Sequence, residues 1–361
     1  LYLYYGRIKI SGLENVPQNK PVLFLPNHQA ALMDVLLIVT DCRRKPFFLT
    51  RSDVFVNPTL KQFFSYLRML PIYRIRDGRE SLKKNQAVFD RCAQLFRENH
   101  AIVLFPEANH NIKRRVRPLS KGFTRILFNA LEKNPEQDIH LVPVGLNYVK
   151  NDGFPDRVAL NYGKSIVVNR LYEPKDLKSS IDRIKKAVSD RLLVLTTHIS
   201  DEKNYDILSK KLDALQVDYL DPSKTNAVLK SLENSEVKDL KIADGENFRF
   251  PRPSRLPTFD NPTQVRDGSL DSPCPIVPKT LFKWIFILLN LPVIALWQIE
   301  IKPRVWEPEF TSTLRFGYGL LVYPICYLIL FVVLATVWNG VTALAVVVAF
   351  FLFNWIYVKW G

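Results

Sequence analysis

The sequence predicts an α/β fold, a mostly parallel sheet covered by helices, followed by a helical appendage and a C-terminal membrane hairpin. Three observations carry this. Residues 1 to about 172 alternate short, almost continuously apolar segments with longer helical patterns, as strands buried on both faces require. Residues 176–245 repeat apolar side chains at steps of three and four. Arg315 and Lys359 enclose 43 residues without a charge, a run that no water-facing surface carries.

The expected strands are Arg7–Ser11, Val22–Leu25, Phe47–Leu49, Leu70–Ile75, Ala101–Phe105, Leu141–Leu146 and Val158–Tyr162, with helical patterns between them at Glu80–Glu98 and Lys121–Leu131. The first domain is drawn over residues 1–175. In the appendage, residues 176–248, Ile181, Ile184, Val188, Leu192 and Leu195 form one stripe and Leu208, Leu212 and Leu215 a second, the pattern of helices packing one face on a core. Residues 249–278 are a Pro-rich linker, which neither continues a helix nor supplies a central strand.

Residues 279–361 form the membrane-embedded part. Phe316–Trp338 and Val341–Val358 each approach the roughly 20 residues that cross a hydrocarbon layer. Asn339-Gly340 between them suits a tight turn, so residues 316–358 read as a hairpin. Cations stand at its two ends and none at its turn, which places both ends on the cytoplasmic side. The shorter segment 284–299 is interrupted by Asn290-Leu291-Pro292 and flanked by Lys279, Lys283, Lys302 and Arg304, so it is expected to be re-entrant.

The chain has 361 residues, 50 Lys and Arg against 35 acids, a net charge of +15 and 47% hydrophobic residues, which excludes a disordered or collagenous protein. Residues 1–278 carry most of the excess positive charge, favouring an anionic leaflet. Cys42, Cys92, Cys274 and Cys326 have no zinc or disulfide spacing and suit a reducing compartment. No initiator Met precedes Leu1, so a missing N-terminal piece is expected.

Four short blocks carry chemistry. The first, Asn27-His28 followed by Asp34, comes where an apolar strand gives way to a helix. Six positions on a regular helix are about 240° apart, so imidazole and carboxylate meet only if His28 lies on the turn before it. Such a pair is a general base with its orienting acid; the alternative is a loop His and a helix-capping Asp. The second block is Arg74 after Leu70-Pro71-Ile72-Tyr73. The third is Phe105-Pro106-Glu107, followed by His110 and by Lys113, Arg114, Arg115 and Arg117, a phosphate-binding cluster, or else a solvated basic loop or a patch for acidic lipid or nucleic acid. The fourth is Val142-Pro143-Val144, by itself only a buried strand.

In this order the blocks resemble the phospholipid/glycerol acyltransferase family, over roughly residues 6–170. The resemblance implies a membrane-bound enzyme moving an acyl group from an acyl thioester, on CoA or acyl carrier protein, to the hydroxyl of glycerol-3-phosphate or 1-acylglycerol-3-phosphate. Dihydroxyacetone phosphate or another lysophospholipid are alternative acceptors. His28 is then the base and Asp34 its partner, with Arg74 and Glu107 at the acceptor phosphate. Charge alone adds Lys113, Arg114, Arg115 and Arg117, and Asn27 and His110 are further candidates. No metal or tightly held cofactor is implied, membrane lipids are expected partners, and nucleic acid is not. The rival classes are a non-catalytic basic membrane scaffold and a nucleic-acid-binding membrane protein.

Two departures stand out. Five residues separate His28 from Asp34 where the commonest family form has four, a spacing similar to the subgroup that acylates glycerol-3-phosphate or dihydroxyacetone phosphate. Ala108 stands where the family has Gly, a strained choice if that position takes a positive φ.

Overall fold

The computed structural model describes residues 1–55, 62, 64–74, 80, 83–234 and 279–360. The Ile75 end of the fourth expected strand, the last part of the appendage and the whole Pro-rich linker lie outside the described residues, as does Cys274. An eight-stranded sheet is built from β1 (Tyr5–Ser11), β2 (Val22–Pro26), β3 (Phe47–Arg51), β4 (Met69–Ile72), β5 (Ala101–Val103), β6 (His140–Tyr148), β7 (Asp156–Tyr162) and β8 (Ile166–Val167). Its order is β1-β7-β6-β2-β5-β3-β4, with β8 paired to β6. Pairing is parallel except where β7 and β8 meet β6. All seven expected strands form; β8, two residues long, leaves no pattern to read.

The unbroken apolar character of β2 follows from its place. Alternate side chains enter opposite cores: Phe24 joins Val103, Val142 and Val144 beneath α1 (Leu32–Asp41), whose Met33, Leu37 and Ile38 are fully buried. Leu23 and Leu25 join Ile102 and Leu141 on the other face, under α2 (Asn85–Arg97), α3 (Gly122–Lys133) and α4 (Leu177–Leu195).

Helix α4 begins at the Asp176 cap, whose carboxylate accepts the Ser179 N–H at 3.0 Å, and it buries Ile184, Val188 and Leu192 in the second core. The helix with which the appendage begins is thus a layer of the sheet domain. Its last turn seats on β6 at Gly145, where any Cβ would come within 2.1 Å of the Leu195 carbonyl oxygen. The separate appendage consists of α5 (Tyr205–Ala214) and α6 (Pro222–Asn234), around Ile199, Tyr205, Leu208, Leu212, Tyr219 and Leu229.

Two C-terminal helices, α9 (Thr311–Val337) and α10 (Gly340–Trp360), are long and apolar enough to cross a membrane. Before them α7 (Lys279–Leu289) and α8 (Leu291–Leu296) are bent by 80°, at the Asn290 that interrupts the sequence pattern. Asn290 reaches the side-chain oxygen of Asn354 on α10 at 2.9 Å, and Asn354 in turn reaches the Tyr327 hydroxyl on α9 at 2.9 Å. The far end of α10 returns to the sheet, where the Lys359 ammonium donates to the Tyr5 carbonyl at 3.2 Å.

Candidate active site

β2, β5, β3 and β4 run parallel and neighbour one another, so their carboxyl ends open onto one edge of the sheet. His28 stands two residues past β2, on the turn before α1, as the spacing argument requires. Its Nδ1 lies 2.7 Å from Asp34 Oδ2. The five intervening residues are taken up by a turn that folds back on that carboxylate: the N–H groups of Gln29 and Ala30 donate to Oδ2 at 2.8 and 2.9 Å. Tyr148 on β6 donates its hydroxyl to Oδ1. Asp34 is fully buried, and these donors satisfy its charge. Ala31, at the start of α1, takes φ 45°.

With Nδ1–H donated to the carboxylate, Nε2 of His28 keeps its lone pair. The ring stacks on Phe105 with centroids 3.8 Å apart, and its side chain retains 17% exposure. The imidazole is therefore fixed on one nitrogen and one face while staying within reach of a solvent-borne substrate.

The loop after β5 supplies the other half. Glu107 is buried, and Arg117 grips Oε2 through Nε at 3.0 Å and Nη2 at 2.8 Å. Burial raises the Glu107 pKa, against the lowering by the Arg117 charge and hydrogen bonds and by the nearby His28. Ala108 takes φ 65°, the conformation that the sequence comparison made costly for a residue other than Gly. The Asn111 N–H donates to the His28 carbonyl at 2.9 Å, closing this loop against the first.

The other candidates divide. Asn27 is a structural clamp: its amide donates to the Leu146 carbonyl at 3.0 Å and accepts the Leu146 N–H at 2.7 Å, extending β2 onto β6. Arg74 stands at the end of β4, paired with Asp53 at 3.3 Å. It is on the same sheet edge as His28 but three strands away, roughly 14 Å at about 4.8 Å per strand. Of the four loop cations grouped by charge, only Arg117 is held at the site.

The other three engage the appendage and its approach. Lys113 lies over the Tyr205 ring at 4.8 Å, and Arg115 pairs with Glu202 at 2.8 Å. Arg114 stacks on Tyr219 at 3.8 Å and donates to the Val149 carbonyl at 2.8 Å. The reason is physical: a guanidinium or ammonium close to aromatic faces and carbonyls satisfies its donors there. His110 meets His28 edge-on at 5.6 Å and pairs with Glu307 at 2.7 Å. Sequence reasoning missed Tyr148 and Glu307, which lie 114 and 197 residues from their partners and carry no local signal.

Residues 7–147 match the model of the Acyltransferase family. The chain is similar to glycerol-3-phosphate O-acyltransferase 2 of Saccharomyces cerevisiae, 25% identical over 215 residues, covering 55% of this chain and 27% of that protein. It is also 24% identical over 119 residues to glycerol-3-phosphate O-acyltransferase 1 of the same yeast, covering 32% and 16%. A third relative, the chloroplastic 1-acyl-sn-glycerol-3-phosphate acyltransferase of Brassica napus, is 28% identical over 123 residues, covering 34% and 33%. This chain thus spans a third or less of the length of each relative. The crystal structure of an LPA acyltransferase from Thermotoga maritima overlaps at a TM-score of 0.37 and 16% identity, covering 52% of this chain and 77% of that one. The fold assignment rests on the sheet order above.

Proposed function

We propose that the protein is a membrane-bound O-acyltransferase that moves a fatty acyl group from an acyl thioester to a hydroxyl of glycerol-3-phosphate or 1-acylglycerol-3-phosphate. The observation that carries this reading is the 2.7 Å contact between His28 Nδ1 and Asp34 Oδ2 on a strand-to-helix turn of an acyltransferase-family domain. His28 Nε2 takes the proton of the acceptor hydroxyl as its oxygen attacks the thioester carbonyl. The tetrahedral intermediate collapses, the C–S bond breaks, and the imidazolium returns the proton to the departing thiolate. Asp34 holds the tautomer and balances the transient charge, the division of labour of a Ser-His-Asp triad with the substrate alcohol in place of the serine. The alcohol is activated by an imidazole, so the step as drawn needs no metal or organic cofactor.

Arg117, anchored by Glu107, and Arg74 are the proposed contacts of the acceptor phosphate, since guanidinium groups fork onto phosphate oxygens. The two apolar helices would hold the domain at the bilayer, where acyl chain and product reside. Residues at the start of α9 and the end of α10 both contact the sheet domain, which supports a hairpin with both ends on one face, assigned to the cytoplasm by the charge rule. The broken pair α7–α8 is assigned as a shallow re-entrant element on the same argument.

The test is a panel of acceptors (glycerol-3-phosphate, dihydroxyacetone phosphate, 1-acylglycerol-3-phosphate) offered with one labelled acyl-CoA or acyl carrier protein thioester to full-length protein. Labelled phosphatidate or lysophosphatidate is expected from the intact protein and not from His28→Ala. Equal product from both contradicts the assignment.

A further inference from the structure

The chain between the broken helix pair and α9 is built into the site. Glu307 Oε2 lies 2.7 Å from His110 Nε2, and Glu309 Oε1 accepts the Ile112 N–H at 3.1 Å. The Phe310 ring meets His110 edge-on at 5.0 Å. The residues that follow grip the other side of the same opening. Ser312 donates to the Asn151 carbonyl, and Thr313 donates to the Ala30 carbonyl at 3.4 Å. Arg315 Nη2 donates to the Asp152 carbonyl at 2.8 Å. Ala30 belongs to the turn whose N–H groups hold Asp34, and Ile112 to the loop that closes on His28. Two carboxylates, a ring and a run of hydroxyls thus tie one short segment to both halves of the site.

We infer that Glu307 is a positioning residue for the acceptor site, acting through His110, and that the segment leading into α9 forms one wall of that site. This rests on the acyl-transfer reading above. The chemistry follows from the tautomer. When His110 Nε2–H donates to Glu307, Nδ1 is left as an acceptor with a lone pair, and the ring is fixed beside the proposed base. Burial and the neighbouring His28 lower the His110 pKa, against the pull of Glu309 and Glu307, so the ring is favoured in its neutral form. A neutral imidazole there can accept a hydrogen from a polyol phosphate without repelling the imidazolium that forms on His28 during turnover. Without Glu307 the ring loses its fixed tautomer and rotamer, and the acceptor loses an oriented partner. The acyl donor, held through its thioester and chain, does not depend on it.

The experiment uses full-length protein in lipid nanodiscs, an acyl-CoA donor, and whichever acceptor the intact protein acylates fastest. Glu307→Ala is expected to raise the acceptor KM by about tenfold, the scale of one lost charge-assisted hydrogen bond, with donor KM unchanged. Glu307→Gln, whose amide oxygen still accepts the His110 N–H, is expected to recover most of that loss. Glu307 is half exposed, so neither change removes a core side chain. Wild-type constants in Glu307→Ala overturn the inference, as does an equal rise in donor KM, or a Gln variant as impaired as the Ala one. His28→Ala run alongside separates the two levels: if it turns over normally the acyl-transfer reading falls. If it is inactive while Glu307→Ala is unaffected, only the positioning role falls.

Discussion

In the turn after β2, His28 and Asp34 meet across six positions, and two of the carboxylate's donors are the intervening N–H groups of Gln29 and Ala30. In the loop after β5, Glu107 finds Arg117 ten positions on, but Arg114 and His110 find partners 91 and 197 residues away. The first region makes the His28–Asp34 contact from within, although Thr313 and Asn151 also hold its Ala30 and Gln29 carbonyls, so damage there changes the chemistry. The second is braced by the appendage and the segment leading into α9, so damage there spreads through positioning and stability. A locally closed turn suits a base whose pose tolerates little error, and a remotely braced loop lets distant parts of the chain shape the substrate site.

Asp34→Asn breaks the first region most sharply. The amide oxygen stays toward Nδ1–H and the Gln29 and Ala30 N–H groups while its NH2 turns to the Tyr148 hydroxyl, so the imidazolium loses the charge that balances it and kcat is expected to fall about 10²- to 10⁴-fold with the fold retained. Circular dichroism checks the fold and steady-state kinetics the rate. A loss under about threefold would place the base elsewhere.

Arg117→Ala tests the second region. It strips the partner from a buried carboxylate, and both consequences should show: a rise in acceptor KM and a stability loss of about 3 kcal/mol. Adding Glu107→Gln in the same chain is expected to restore much of the stability and little of the acceptor affinity. Denaturant unfolding and acceptor titration separate the two.

Asp156 sharpens the bracing argument, because its Oδ1 holds the Lys150 and Arg157 N–H groups at the base of the loop that receives α9. Burial raises its pKa from 3.8 to about 6. The folded protein therefore holds a proton there that the unfolded chain releases above about pH 4. This group's contribution to stability falls as pH rises from 4 to 6, and the deficit persists above. Asp156→Asn, which keeps the accepting oxygen, is expected to gain about 2 kcal/mol at pH 7.5 and almost nothing at pH 4. Thermal melts at the two pH values decide it; equal gains at both would show that the cost is not one of charge.

The smallest effect belongs to Ala108→Gly. At φ 65° the methyl group is strained, and its removal is expected to add about 1 kcal/mol of stability with kinetics little changed. A destabilised variant would mean that the Ala108 methyl makes a contact worth more than the strain.

The same contrast explains what could be read from the sequence. The central strands announced themselves because β2, β5 and the Leu141–Leu146 stretch of β6 are covered on both faces and are apolar throughout. The His28–Asp34 pair was legible because it closes within one turn, and the strain at Ala108 because a family Gly is missing where φ is positive. Lys113, Arg114 and Arg115 looked like an anion site because charge runs carry no information about which side chain already has a partner. Tyr205, Tyr219 and Glu202 supply those partners from the appendage. Likewise α4 read as part of an appendage because its stripe shows one buried face without saying that the face belongs to the sheet. Tyr148, reading as one more buried strand residue, gave no sign that its hydroxyl would end on Asp34.

His28 is the group proposed to take the acceptor's proton. The direct measurement is single-turnover transfer of a labelled acyl group from thioester to glycerol-3-phosphate or 1-acylglycerol-3-phosphate, by intact protein and by His28→Ala in the same bilayer. The account predicts a rate constant lower by at least about 10²-fold in the variant, with both substrates still bound. Equal rate constants would contradict it.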